Sequence, residues 1–147
     1  MTTTARNLAK FIVQRAGPIS NLKLQKLLYY VQGWHLGLHG KPVFHEQIQA
    51  WVHGPVVPSV FHMYKEFKWT PITADPLPVK LDDSFVTHTL TVIGVYGKLN
   101  AAQLEKLSHQ EDPWIHARKG LDPKVPSNAV ITHESMKRYF FGKRANG

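Results

Sequence analysis

Ser20-Asn-Leu-Lys-Leu-Gln-Lys-Leu-Leu-Tyr-Tyr-Val-Gln-Gly-Trp-His-Leu-Gly-Leu-His-Gly40 is the stretch whose reading decides the fold. Ser20 can cap free backbone N–H groups, while Ile19 and Leu24 stand at the positions of a hydrophobic staple. Leu24, Leu27, Leu28, Val31, Trp34 and Leu38 then recur at three- and four-residue steps, so they form one apolar stripe. Gly40 and Pro42 stop the run, and a long helix is predicted between these signals. On its reverse side, at about 100° per residue, fall Lys26, Tyr29, Tyr30, Gly33 and Gly37. Glycine costs roughly 1 kcal/mol against alanine inside a helix, so something other than helix stability favours these two, such as close approach of another backbone.

Working outward, Thr4 to Arg15 places Ala5, Leu8 and Ile12 on one side of a first helix and ends at Gly17-Pro18, which cannot continue it. Between Gln47 and His53, Ile48, Ala50 and Val52 alternate with Gln49, Trp51 and His53, predicting a short extended piece near residues 47–53 that Gly54-Pro55 breaks. Pro58 suits the first turn of a helix in which Val60, Met63, Tyr64 and Phe67 share a face. Residues 68–83, with Pro71, Pro76 and Pro78, read as a loop. The segment 84–99 is ambiguous. Val86, Thr87, Thr89, Thr91, Val92 and Ile93 favour strand, yet Asp82, Asp83 or Ser84 can cap a helix. Read as helix, it is apolar around much of its circumference and is expected to lie at the centre of the bundle. Asn100 and Gln103 form a cap-like pair ahead of Leu104 and Leu107, and Asp112-Pro113 restarts the chain before Trp114. Thr132 caps a last helix with Ile131 and Met136 as its staple and Tyr139 and Phe140 as anchors.

The expected fold class is therefore mainly α, a compact helical bundle with one short β element, forming a single domain over residues 1–141 with a mobile basic tail at 142–147. Lys and Arg number 18 against 10 Asp and Glu, a net charge of +8. Residues 1–50 carry six basic and one acidic side chain, 51–100 four of each, and 101–147 eight and five, so the chain ends hold the excess. That balance favours an acidic protein or a nucleic acid as partner without choosing between them. The absence of cysteine excludes a disulfide framework, a thiol nucleophile and Cys-ligated metal sites. With no run of about 18 uncharged apolar residues, the expectation is a soluble cytoplasmic protein that does not engage a membrane.

Five strings carry a family likeness. The string Lys23 to Leu36, then Gly40-Lys-Pro-Val-Phe44 and Ile48-Gln-Ala-Trp-Val-His-Gly-Pro-Val56, resembles the SocA-like Panacea family of bacterial and phage-associated antitoxin domains. His109-Gln-Glu-Asp-Pro-Trp114 is similar to that family's His…Pro-Trp segment, and Ile131 through Phe140 to its closing helix. The resemblance implies a mainly helical domain with a small extended element, helix for residues 84–99, and neutralisation of a cognate protein toxin encoded beside it. It implies two routes, direct inhibition by binding or an adaptor role that presents the toxin to an ATP-dependent protease. It transfers neither a catalytic motif nor the identity of the toxin.

The remaining chemistry is sparse. His35 and His39 have the spacing that places two imidazoles on one helical face, but only His45 or Glu46 offers a further ligand, and His35 falls beside Leu28 on the apolar stripe. A hydrogen-bonded, partly buried histidine is the expected reading, and no metal, cofactor or catalytic residue is assigned. P-loop, dinucleotide-binding and hydrolase motifs are missing. The candidate partner-binding surface combines Lys26, Tyr29, Tyr30 and Gly33 with the turn residues Trp51, His53, Gly54 and Pro55. Small residues and tyrosines on the helix face serve equally for packing within the domain, so both uses stay open there. If the face is outward, alanine at Tyr29 or Tyr30 leaves the fold intact. Lys137, Arg138, Lys143 and Arg144 support the alternative of a nucleic-acid-binding regulator.

Overall fold

Helix α1, Ala5–Ala16, starts where the Thr4 hydroxyl accepts the Asn7 amide at 3.1 Å in the computed structural model, which describes residues 2–146. Ser20 does the same for the Lys23 amide at 3.2 Å and opens α2, Asn21–His39; Gly40 closes it in the left-handed conformation, φ 72°, with its N–H on the Leu36 carbonyl. Strands β1, Ile48–Trp51, and β2, Gly54–Val56, precede a short α3, Pro58–Met63, and a 3-10 turn at Lys65–Phe67. Then come α4, Asp83–Tyr96, α5, Ala101–His109, α6, Asp112–Ala117, β3, Val130–Ile131, and α7, His133–Asn146. The protein is mainly α with a small antiparallel sheet, as the periodicities imply.

The long helix is buried on more than its apolar stripe. Leu24, Leu27, Leu28 and Val31 are fully buried, but so are Lys26, Tyr29 and Tyr30 on the reverse side. The central helix is thus α2, and the expectation that residues 84–99 occupy the centre is corrected. In α4 only Phe85, Thr89, Val92 and Tyr96 are buried, a single face at helical spacing, and its β-branched residues Thr87, Thr91 and Val95 stand toward solvent.

What covers the reverse side of α2 from Tyr29 to Gly37 is α7. Gly33 and Gly37 let the helices touch: a Cβ on Gly33 would overlap the Phe140 ring, and one on Gly37 would lie 2.7 Å from Phe140 Cβ and 2.8 Å from its carbonyl carbon. The sequence reading of close backbone approach is therefore correct, with the partner in the same chain. The helix continues through residues 142–146, where a mobile tail was expected to begin; Gly147 lies outside the described residues. Lys143 over the Tyr139 ring and Arg144 over the Phe141 ring, at 5.9 and 5.5 Å, carry contacts across Gly142.

The sheet order is β2-β1-β3. Trp51 pairs with Gly54, so the hairpin turns at Val52-His53, and Gly54-Pro55 lies inside β2 instead of ending the extended segment. The two-residue β3, pairing Ile131 with Ile48, is too short to leave a sequence signal. Two side chains fasten this sheet to α6: Trp114 Nε1 donates to the Trp51 carbonyl at 2.8 Å, and the buried Arg118 guanidinium donates to the Ala50 carbonyl at 2.9 Å while stacking on Trp114. Arg118 also donates to the Asp122 carbonyl at 3.0 Å and to that of Val125, holding the following loop. Among the described residues no helix is long and apolar enough to cross a membrane.

The glycine seam is testable because helix propensity and packing oppose each other. Propensity alone makes Gly37→Ala stabilising by up to about 1 kcal/mol. Overlap with the Phe140 backbone should instead make it destabilising by about 1–3 kcal/mol, read from chemical denaturation.

Candidate functional site

The residues with unusual chemistry converge where α2, α6 and α7 meet. Tyr29 donates its hydroxyl to Glu111 Oε1 at 3.0 Å, and Tyr30 donates to the same carboxyl group at 3.1 Å. Glu111 is only 2% exposed, and Lys143 Nζ stands 3.9 Å from its other oxygen. Burial pushes its pKa up to about 7, against the downward pull of the two phenols and Lys143. Burial raises the Tyr29 and Tyr30 phenols as well, and the neighbouring Glu111 charge adds to it. Around this group the Tyr30 and Tyr96 rings stack at 3.9 Å, Trp34 Nε1 donates to the Tyr96 hydroxyl at 2.8 Å, and Phe140 meets Tyr29 edge-on at 5.7 Å. Sequence reasoning missed Glu111. Its signal was one of two adjacent acidic residues, Glu111-Asp112 ahead of Pro113, indistinguishable by spacing from a solvated helix start.

One turn before Tyr30, Lys26 is fully buried and its ammonium has no hydrogen-bond partner among the described residues. Burial lowers its pKa to about 8, with Glu105 opposing the shift. Its stem passes Gly54: a Cβ there would sit 2.6 Å from Lys26 Cε and 3.0 Å from the Ser108 hydroxyl. Gly54 also has φ 107°, a second reason for glycine. Close by, the His109 ring stacks on Trp114 at 4.1 Å, and burial lowers its pKa.

The candidate partner residues therefore separate. Lys26, Tyr29, Tyr30 and Gly33 are internal, correcting the expectation of an outward face: α7 and Glu111 cover Tyr29, Tyr30 and Gly33, while β2 and α5 cover Lys26 through Gly54 and Ser108. Gly54 and Pro55 are buried in β2. Trp51 and His53 do reach the surface, at a cleft of about 630 Å³ completed by Pro58, His62 and residues 126–128. There Trp51 packs edge-on against Phe61 at 5.1 Å, and His53 Nδ1 lies 3.1 Å from Glu105 Oε1. A second cleft of about 590 Å³ between α6 and α7 is lined by Asp112, His116, Tyr139, Arg138 and Lys143.

Of the histidine pair of α2, His35 is tied into the structure and His39 is exposed. His35 Nδ1 is hydrogen-bonded to the Lys41 carbonyl, its ring lies 4.7 Å from that of His39 and 5.1 Å from His88, and burial lowers the pKa of His35 and His88. Glu46, the proposed further ligand, instead accepts the Ala5 amide at 2.7 Å. Among the described residues no group of three or more His, Cys, Asp or Glu is arranged to hold a metal ion.

A central helix clamped by the terminal helix and a β-hairpin, with one carboxyl group at the junction, defines a small helical domain organised from its polar interior. Residues 24–115 match the family described as Antitoxin SocA-like, Panacea domain, and the chain belongs to that family. A 64-residue stretch, 41% of the chain, is 41% identical to Antitoxin SocA of Caulobacter vibrioides, and the match spans about a third (34%) of that relative's length. No solved structure matches the chain. The matched segment holds Tyr29, Tyr30 and Glu111, whereas α7, which closes over them, lies beyond it.

Two outcomes follow from the buried carboxyl group. Its folded pKa of about 7 lies above the ordinary 4.5, so the folded state binds the extra proton between those values and loses stability as pH rises through them. Relative to Glu111→Gln, the protein should lose up to about 3 kcal/mol between pH 4.5 and 7, measured by urea denaturation at each pH. Tyr30→Ala should lower the melting temperature sharply, at a cost of about 3–5 kcal/mol, as expected for a buried aromatic.

Proposed function

We propose that this chain is an antitoxin that neutralises a cognate protein toxin in the cytoplasm by binding it stoichiometrically, with no catalysis of its own. The observation that carries the reading is the family match over residues 24–115. The named role of the Caulobacter relative supports it. The contact surface proposed first is the hairpin turn, where Trp51 and His53 border the cleft with Pro58 and His62. Trp51 offers a large ring beside polar neighbours, a combination suited to protein interfaces. Gly54 and Pro55 act from beneath by fixing the hairpin, and Lys26, Tyr29, Tyr30 and Gly33 act by holding the helices that carry it.

The test is co-expression of the protein encoded by the neighbouring gene with and without this chain. Relief of growth arrest, with recovery of both proteins in one complex, is the expected result. Equal arrest in the two cultures overturns the reading. Toxin half-life then separates the routes: an unchanged value means inhibition by occupancy, and a shortened one means presentation to an ATP-dependent protease. The exposed Lys137, Arg138 and Arg144 of α7 favour a second reading as a nucleic-acid-binding regulator. That reading requires duplex or single-stranded DNA binding that weakens steeply with added salt.

A further inference from the structure

A groove of about 260 Å³ runs along the surface between α2 and α4. Trp34 and Leu38 form one wall and Thr91, Val92, Val95 and Tyr96 the other. Leu38 and Val95 are 42% and 52% exposed. The polar atoms of the two aromatic walls satisfy each other, because the Trp34 indole donates to the Tyr96 hydroxyl. What remains open is apolar surface.

The charge at the end of the groove where α4 stops is positive. The outer column of α4, read at helical spacing, is Ser84, His88, Thr91 and Val95, and the next position along it is the exposed Lys98. None of these is a carboxylate. At the same end Lys23 Nζ donates to the Gly97 carbonyl, so two amines gather where α4 stops. Burial lowers the pKa of His88, keeping it neutral at pH 7 beside the apolar wall. A second copy of this chain is a poor occupant: each copy carries a net charge of +8 and would bring amines toward amines.

We propose that this groove binds an acidic amphipathic helix of the protein toxin, with an apolar anchor between Leu38 and Val95 and a carboxylate about one turn away facing Lys98. Helices commonly dock into such grooves through apolar side chains repeated at three- and four-residue steps. The inference rests on the antitoxin reading and adds to it a contact surface separate from the hairpin turn.

The probe is the purified product of the neighbouring gene, titrated calorimetrically against this chain at about 0.1 and 0.5 M salt, alongside the growth assay. Leu38→Asp and Val95→Asp should each weaken Kd at least tenfold. Lys98→Glu should weaken it severalfold and reduce the salt dependence. All three positions are at the surface, so melting temperatures should hold. Thr91→Arg, at another exposed position, fills the groove and preserves the test should Leu38→Asp lower the melting temperature. If the unaltered chain neutralises the toxin and all four variants bind and rescue equally well, the groove assignment is overturned while the antitoxin reading stands. If the unaltered chain neither binds nor rescues, the antitoxin reading falls first and takes the groove with it.

Discussion

The distance at which α7 can approach α2 sets the rest of the interior. Gly33 and Gly37 remove two methyl-sized obstacles, and the Phe140 ring and backbone enter the space they leave. With α7 drawn in that far, Tyr29 and Tyr30 are sealed from water, and their hydroxyls need a partner inside the protein. Glu111 is that partner, delivered by the turn between α5 and α6. A wider interhelical spacing would hydrate the carboxyl group and dissolve the reason for having it there.

This arrangement carries a cost that a purely apolar core would not. A carboxyl group held at a pKa of about 7 and an ammonium held at about 8, both buried, each oppose folding over part of the pH range. The phenols and Lys143 offset the first, whereas no hydrogen bond offsets the second. What the polar interior supplies is direction: Glu111 accepts from two hydroxyls of α2, so it fixes the rotation of that helix against the α5–α6 turn more tightly than methyl groups would.

Much of the fold was legible because its helix ends are written in local chemistry. Thr4, Ser20, the Asn100–Gln103 capping box and Thr132 each make the amide contacts their positions imply. The identity of the central helix was not legible. Periodicity ranks faces by hydropathy, and Lys26, Tyr29 and Tyr30 read as polar although they are among the most buried residues of the chain. The same confusion moved four candidate contact residues from the surface to the interior. His53 escaped it because a hairpin turn protrudes whatever its composition, and Trp51 because it ends β1 beside that turn with its side chain part-exposed. Glu111 was unreadable for a different reason. Its burial depends on α7, more than twenty residues further along, and local pattern holds no record of that contact.

The sheet has a bearing on how this protein can be recognised. Its β2 edge carries Pro55, which has no amide hydrogen, and all three residues of that strand are buried. Its opposite edge ends after the two residues of β3. Neither border offers the run of unpaired main-chain amides on which an incoming strand is built. Any partner must therefore be read by side-chain shape and charge, properties that single substitutions can retune without disturbing the backbone beneath.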